Sequence, residues 1–261
     1  MRPSRIKAKL SRNEPALCTT LTLADPAVFE LTSLMGFDGI WLDLEHHSHS
    51  VETASQLMRA VRVGTADIVA RPAKGEFMRM GRLLEAGAQA IMYPRCDSAE
   101  EAAEVVRWAK FAPLGQRGFD GANPDADYGG TRVTDYLAHA NRETLIIMQV
   151  ENHRAVDQAE AIAAVPGVDA IMLGPGDFSV LEGLAAESEQ GRIMAVTRKI
   201  AAAAGNAGKH WACTIGNLDE ARQSLELGSK LLFYGADILF IRRCLEQMQT
   251  DFAALGFSFG K

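Results

Sequence analysis

Two acidic residues, Glu151 and Asp177, follow short apolar runs that are typical of buried strands, Leu145–Val150 and Ala170–Leu173. A carboxylate at the carboxyl end of a parallel strand is well placed for chemistry, and one strand–helix unit separates the two positions. Strands that neighbour each other in one sheet would bring both carboxylates to the same edge. Oxygen ligands suit a hard divalent cation, so the pattern predicts a metal-dependent enzyme.

A second polar group follows the run Gly39–Leu44, where Asp43 is joined by Glu45, His46 and His47. A histidine beside carboxylates can be oriented and tuned as a general base near neutral pH. We interpret His46 in this way and include Asp43 among the candidate catalytic residues. The alternative, a solvated polar loop, is preferred for His47.

Arg71 ends the run Ile68–Arg71. Its planar guanidinium could clamp a substrate carboxylate or an enolate oxygen, or it could be a structural ion-pair partner of Asp43 or Glu85. The sequence leaves both readings open. Likewise, Gly174-Pro175-Gly176 could present backbone N–H groups to an anion or could simply form a turn.

The elements that must position these residues alternate regularly along the chain. Strands are predicted at Leu17–Leu23, Gly39–Leu44, Ile68–Arg71, Ala90–Tyr93, Leu145–Val150, Ala170–Leu173, Trp211–Thr214 and Leu231–Tyr234. Helices are predicted at Val51–Val63, Glu76–Glu85, Ala99–Lys110, Ala155–Val165, Glu187–Ala204 and Leu218–Glu226, several ending in a glycine C-cap such as Gly87. Eight strands alternating with helices over 261 residues predict an α/β fold, a single (β/α)8 TIM barrel over residues 1–261.

Two segments depart from this pattern. Residues 1–15 are expected to be a loose N-terminal arm. The interval from Phe111 to Thr144 is rich in proline and glycine, so we predict an irregular functional loop on the same face as the carboxylates.

Composition excludes several classes of protein. The net charge of −6 gives no basic footprint for nucleic acid, and no apolar run is long enough to span a membrane. The scattered cysteines show neither a disulfide framework nor metal-ligand spacing, which favours a cytoplasmic protein.

Taken together, four motifs resemble the HpcH/HpaI aldolase family, the metal-dependent pyruvate aldolases of the phosphoenolpyruvate/pyruvate barrel superfamily. The resemblance covers residues 16–250, and the motifs are Gly36-Phe37-Asp38 through His46, Val69-Ala70-Arg71-Pro72, Gln149-Val150-Glu151, and Gly174 through Ser179. The chain departs from the family pattern between Phe119 and Tyr128, which leaves the second substrate open.

The resemblance implies roles residue by residue. Glu151 and Asp177 would hold Mg²⁺, Mn²⁺ or Co²⁺, and Arg71 would hold the pyruvate oxygens. Gln149 would lie on the substrate side of the metal, and the N–H groups of Gly176 and Asp177 would bind the pyruvate carboxylate. Glu85 stands where an acidic residue approaches the histidine of a neighbouring subunit.

The implied activity is cleavage or formation of 4-hydroxy-2-oxo acids from pyruvate, or a related 2-oxo acid, and an aldehyde. Its alternatives are an acyl-CoA ester lyase or an oxaloacetate-type decarboxylase of the same superfamily, with a non-enzymatic scaffold disfavoured. The family resemblance also implies a homo-oligomer, a hexamer, in which the apolar C-terminal helix from Ile238 to Phe252 is exchanged between subunits.

Overall fold

The computed structural model describes residues 1–183 and 190–260. Eight parallel strands close into a barrel in which each strand pairs with the next along the chain and β8 pairs with β1. The strands are β1 (Ala16–Leu21), β2 (Gly39–Asp43), β3 (Asp67–Arg71), β4 (Ala90–Tyr93), β5 (Leu145–Val150), β6 (Ala170–Leu173), β7 (His210–Ile215) and β8 (Leu231–Ala236). The prediction of a (β/α)8 barrel is confirmed.

The alternation of side chains along each strand explains why these runs are so apolar. Side chains that point inward, such as Val69, Met92 and Ile147, fill the barrel interior. Side chains that point outward, such as Ile68 and Ile146, pack against the surrounding helices in a second, larger cluster. Both faces of β2 to β6 are therefore buried throughout, as expected for a parallel sheet, whereas β1, β7 and β8 each include half-buried or exposed positions.

The helices are α1 (Arg5–Ser11), α2 (Pro26–Leu34), α3 (Val51–Ala60), α4 (Phe77–Ala86), α5 (Ala99–Ala109), α6 (Val133–Glu143), α7 (His153–Asp157), α8 (Ala159–Ala164), α9 (Pro175–Leu181), α10 (Gln190–Asn206), α11 (Leu218–Glu226) and α12 (Asp237–Ala253). The predicted start of one helix at Glu187 lies outside the described residues. Gly87 has a left-handed φ of 118° and caps α4, as the sequence predicts.

The N-terminal segment forms helix α1, which closes the end of the barrel where the strands begin, the lower end. The side chains of Ile6 and Leu10 are buried in the barrel interior. Asp67, at the start of β3, accepts hydrogen bonds from Ser4 Oγ at 2.7 Å and from the backbone N–H of Ile6 at 2.9 Å. The expectation of a loose arm is therefore wrong, because α1 is both packed and hydrogen-bonded.

The irregular connection after α5 lies at this lower end too. The backbone N–H of Asp125 donates to the carbonyl of Glu85 at the end of α4, and Arg62 donates to the carbonyl of Pro124. The segment joins a helix to a strand, and such connections run along the amino ends of the strands. The prediction that it covers the carboxylates of its own barrel is wrong, and it also contains α6.

The last helix, α12, leaves its apolar side chains largely uncovered. Exposed large side chains on α12 include Ile238, Leu239, Ile241, Leu245, Met248 and Phe252. Within the described residues, no helix is long and apolar enough to cross a membrane.

Candidate active site

Asp43 and Arg71 are register partners on β2 and β3, at the carboxyl end of the barrel. Arg71 donates through Nε and Nη2 to the two oxygens of Asp43, each at 2.8 Å. Burial works against ionisation of Asp43, but the hydrogen bonds and charge of Arg71 outweigh it, so the pKa of Asp43 lies below its usual range. The carboxylate therefore fixes the plane of the guanidinium.

The remaining side of Arg71 faces the barrel axis. Its Nη1 donates to Gln149 Oε1 at 3.3 Å, and the guanidinium stacks 4.6 Å above the ring of Trp41. Gln149, on β5, is fully buried. The structure thus brings together Asp43, Arg71 and Gln149, three of the residues singled out in the sequence.

Glu45 is a site residue that the sequence did not single out. Its carboxylate, 3% exposed, lies 3.4 Å from Arg71 Nε and 2.7 Å from Arg95 Nη2 in ion pairs that lack hydrogen-bond geometry. Glu45 also lies 3.8 Å from His46 Nε2. The structure thus places a buried carboxylate between two guanidinium groups and beside His46.

The two histidines of the same loop have different neighbours. His46 Nε2 lies 3.8 Å from Asp177 Oδ2, whereas His47 Nε2 lies 3.8 Å from Asp43 Oδ2. His46 is therefore the histidine beside the paired carboxylates, and its side chain is 53% exposed at the barrel mouth. His47 lies beside the Asp43–Arg71 pair instead.

Glu151 and Asp177 follow the neighbouring strands β5 and β6, which pair up to Val150 and Leu173. Glu151 is buried, and its Oε2 accepts a hydrogen bond from the backbone N–H of Arg95 at 2.9 Å. Burial, reinforced by the charge of Asp177, raises the pKa of Glu151 to about 7. The charge of Asp177 therefore acts directly on Glu151 at the carboxyl end of the barrel.

Gly174 has no side chain because Glu151 occupies the space beside it. A Cβ at Gly174 would collide with Glu151 Oε1. The next residues open α9, so Asp177 lies in the first turn of a helix, where Gly176 and Asp177 have N–H groups with no intrahelical acceptor. The Gly-Pro-Gly segment is therefore a helix start and not an isolated turn.

Glu85 lies away from this group. It is in the last turn of α4, at the lower end of the barrel, and its charged surroundings include Arg117 and Asp120. Burial raises its pKa. A role for Glu85 beside the histidine of a neighbouring subunit stays a prediction.

The donor set fits a divalent cation that is only partly held by the protein. Among the described residues, no three acidic, histidine or cysteine side chains are arranged as a metal site. Glu151 and Asp177 are a pair of hard oxygen donors, and burial together with the charge of Asp177 raises the pKa of Glu151, so a cation at the pair would favour its ionised form. Water and substrate oxygens would complete the coordination of Mg²⁺ or a similar ion.

A closed (β/α)8 barrel with acidic, histidine and arginine side chains at the carboxyl ends of its strands is the architecture of a barrel enzyme. Residues 20–242 match the HpcH/HpaI aldolase/citrate lyase family, and the chain belongs to that family. The chain is 33% identical to a hydroxypyruvate/pyruvate aldolase of Pseudomonas aeruginosa, over 95% of this chain and 92% of that protein.

Two further relatives agree with this assignment. A 4-hydroxy-2-oxo-heptane-1,7-dioate aldolase of Shigella sonnei is 30% identical over 95% of this chain and 94% of its own length. The crystal structure of a family member from Burkholderia cenocepacia superposes with a TM-score of 0.89 at 30% identity, over 95% of this chain and 98% of that one.

Proposed function

We propose that this protein is a divalent-metal-dependent aldolase that cleaves or forms 4-hydroxy-2-oxo acids. The observation that carries the proposal is the convergence of Glu151 and Asp177 with His46 and with the oriented guanidinium of Arg71. Named relatives that span nine-tenths of the chain are aldolases, which are carbon–carbon lyases.

Glu151 and Asp177 would hold the cation, for which Mg²⁺, Mn²⁺ and Co²⁺ are the candidates. A divalent ion at these carboxylates would supply Lewis-acid polarisation of the 2-oxo group. The first-turn N–H groups of Gly176 and Asp177, which have no intrahelical acceptor, would donate to the substrate carboxylate.

Cleavage needs a base, a bond broken between C3 and C4, and a site for the charge that remains. His46 takes the proton from the 4-hydroxyl group, and the electrons of that O–H bond form the aldehyde carbonyl as C3–C4 breaks. The bond pair leaves as the enolate of pyruvate, and Arg71 donates to the enolate oxygen. Protonation at C3 then gives pyruvate. In the reverse direction, the enolate adds to the aldehyde.

The family description also names citrate lyase, and an acyl-CoA ester lyase or oxaloacetate-type decarboxylase is the alternative function. A free 2-oxo acid and an aldehyde are favoured as partners because relatives of matching length are named for such substrates.

Proton exchange at the methyl group of pyruvate tests the enolate step without any aldehyde. In D₂O with Mg²⁺, Mn²⁺ or Co²⁺, nuclear magnetic resonance should show catalysed loss of the methyl proton signal. A chelator should stop the exchange, and Glu151→Gln should lack it while keeping the far-ultraviolet circular dichroism of the parent. Exchange at the parent rate in excess chelator would contradict the proposal.

The two-substrate reaction is the second measurement. Pyruvate and hydroxypyruvate are each offered with a panel of aldehydes, and aldol products are detected by chromatography. Exchange without any aldol product from the panel would favour the decarboxylase alternative.

A further inference from the structure

Arg95, just beyond β4, has a backbone conformation that side chains rarely adopt. Its φ is +48°, in the left-handed region, where a residue other than glycine is strained. Such strain persists only where the surroundings impose it, and it is concentrated at functional sites. The conformation of Arg95 therefore indicates a position that the surrounding site holds in place.

Each group of Arg95 is bound within the candidate site or at its edge. The backbone N–H donates to Glu151 Oε2 at 2.9 Å, and the carbonyl accepts from Lys74 Nζ at 2.6 Å. The side chain then reaches across the end of β3 to Glu45, where Nη2 lies 2.7 Å from Oε1. The backbone is thus anchored beside Glu151 while the guanidinium lies over the mouth, next to Arg71.

The guanidinium of Arg95 still has donors to offer. Its side chain is 44% exposed, and Nη2 pairs with Glu45. Among the described residues, no ion-pair partner lies at its Nε or Nη1. Arg71, by contrast, is buried, and its bonds to Asp43 and Gln149 hold its guanidinium in place for the 2-oxo acid end of the substrate. Lys74, the other cation nearby, is paired with Asp97 and Glu101.

We infer that Arg95 is a specificity-determining residue that binds an acidic group, a carboxylate or a phosphate, on the aldehyde half of the substrate. The inference rests on the proposed aldolase function and deepens it. Arg71, Glu151 and Asp177 would bind the 2-oxo acid end of the substrate. The guanidinium of Arg95 is a second cationic group, on the other side of Glu45 from Arg71. A guanidinium binds a planar acid through paired N–H groups and so distinguishes it from a neutral group of the same size.

Two matched pairs of aldehydes test the inference and separate the two acids. One pair is 4-oxobutanoate and its methyl ester, and the other is glyceraldehyde 3-phosphate and glyceraldehyde. For each pair, kcat/KM with pyruvate is measured for the parent and for Arg95→Ala. Arginine and alanine both carry a Cβ, so the left-handed backbone is equally demanding for both variants.

The parent should prefer the acidic member of at least one pair by roughly 10- to 100-fold, the usual worth of a hydrogen-bonded charge. Arg95→Ala should bring that preference close to 1, and Arg95→Lys should leave an intermediate value because it keeps the charge without the fork. Arg107→Ala is the control, because Arg107 is 47% exposed and paired with Glu104 at 2.6 Å on the outer helix α5. It should keep the parent's preference.

A binding measurement avoids turnover altogether. The affinities of 2-oxoheptanedioate and 2-oxoheptanoate, which lack the 4-hydroxyl group and cannot be cleaved, are compared by calorimetry with Mg²⁺ present. The diacid should lose more affinity than the monoacid in Arg95→Ala.

An unchanged preference in Arg95→Ala for both pairs overturns the inference. So does an equal loss with acidic and neutral aldehydes and in pyruvate methyl exchange, which would make Arg95 merely structural. Absence of metal-dependent exchange in the parent would instead overturn the proposed function, and this inference with it.

Discussion

Glu151 is a buried carboxylate whose ionised form is disfavoured in the folded protein. Because burial and Asp177 raise its pKa to about 7, a proton and a divalent cation compete for the same oxygens below that pH. We therefore expect Mg²⁺ affinity, measured by calorimetry between pH 5.5 and 7.5, to fall about tenfold for each pH unit below 7 and to level off above it. A flat profile over this range would contradict the assignment of Glu151 as a ligand.

The neighbouring histidines provide a matched pair of substitutions. His46→Ala should reduce turnover by roughly 10²–10⁴-fold, because it removes the group that moves the substrate proton. His47→Ala should have a much smaller effect, because His47 faces Asp43 and not Asp177. Steady-state kinetics of the two variants tests the assignment of His46 as the base. Equal losses of turnover in both variants would contradict it.

Arg71 can be tested by a change that preserves its charge. Arg71→Lys cannot make the two parallel bonds to Asp43 and at the same time reach Gln149, so turnover should remain badly impaired. The loss should appear in kcat as well as in KM for pyruvate, since enolate charge develops in the transition state. Near-normal kcat in this variant would mean that Arg71 has only a structural role.

At the scale of elements, α1 is expected to contribute directly to stability. Ile6→Ala should lower the free energy of unfolding by about 2–4 kcal/mol, because it leaves a cavity at the lower end of the barrel. Ser11→Ala, at an exposed position of the same helix, is the control and should change stability little. Urea titration followed by circular dichroism measures the free energy of unfolding of both variants. An Ile6→Ala variant as stable as the parent would show that α1 does not contribute to stability.

The strands could be predicted from the sequence because most of their residues are buried, on both faces in β2 to β6, and they form short apolar runs. The short helix α1 could not, because only Ile6 and Leu10 among its basic and polar residues mark it, and the barrel that buries them is formed by distant strands. Helix α6 was hidden by the proline and glycine residues that precede it.

The residues of the site likewise fall into those that the sequence indicated and those that it did not. Glu151, Asp177 and Arg71 stand at the ends of recognisable strands, so the sequence indicated them. Glu45 and Arg95 follow their strands in polar segments, and their contact depends on how Arg95 crosses the end of β3. A strained φ and a long reach are properties of the folded chain, for which the sequence carries no local signal.

In the whole molecule, the apolar side chains of α12 are exposed, and burying them against another surface would be favourable. We propose that a second copy of the chain provides it, within a homo-oligomer that the family resemblance suggests is a hexamer with exchanged helices. A chain truncated before Ile238 should be dissociated and inactive. Leu245→Glu should weaken assembly without removing the helix, because it places a charge among these apolar residues.

Multi-angle light scattering measures the mass of each variant. Gln247→Glu adds the same charge on the opposite side of α12 and is the control, which should keep the mass of the parent. A parent protein that has the mass of one chain together with full activity would contradict the proposal.

Charged residues are unevenly distributed around the barrel mouth. The charged residues of the site follow β2 to β6, whereas Thr20 of β1 and Thr214 of β7 are uncharged. They line a cavity of about 800 Å³ on this side of the mouth, which also extends to the charged Asp219, Glu220 and Arg243. Mutations on that side can reshape the mouth while leaving the pyruvate chemistry intact. For laboratory evolution, we expect that randomising Thr20 and Thr214 changes which aldehydes fit the mouth while Glu151, Asp177 and Arg71 keep their surroundings.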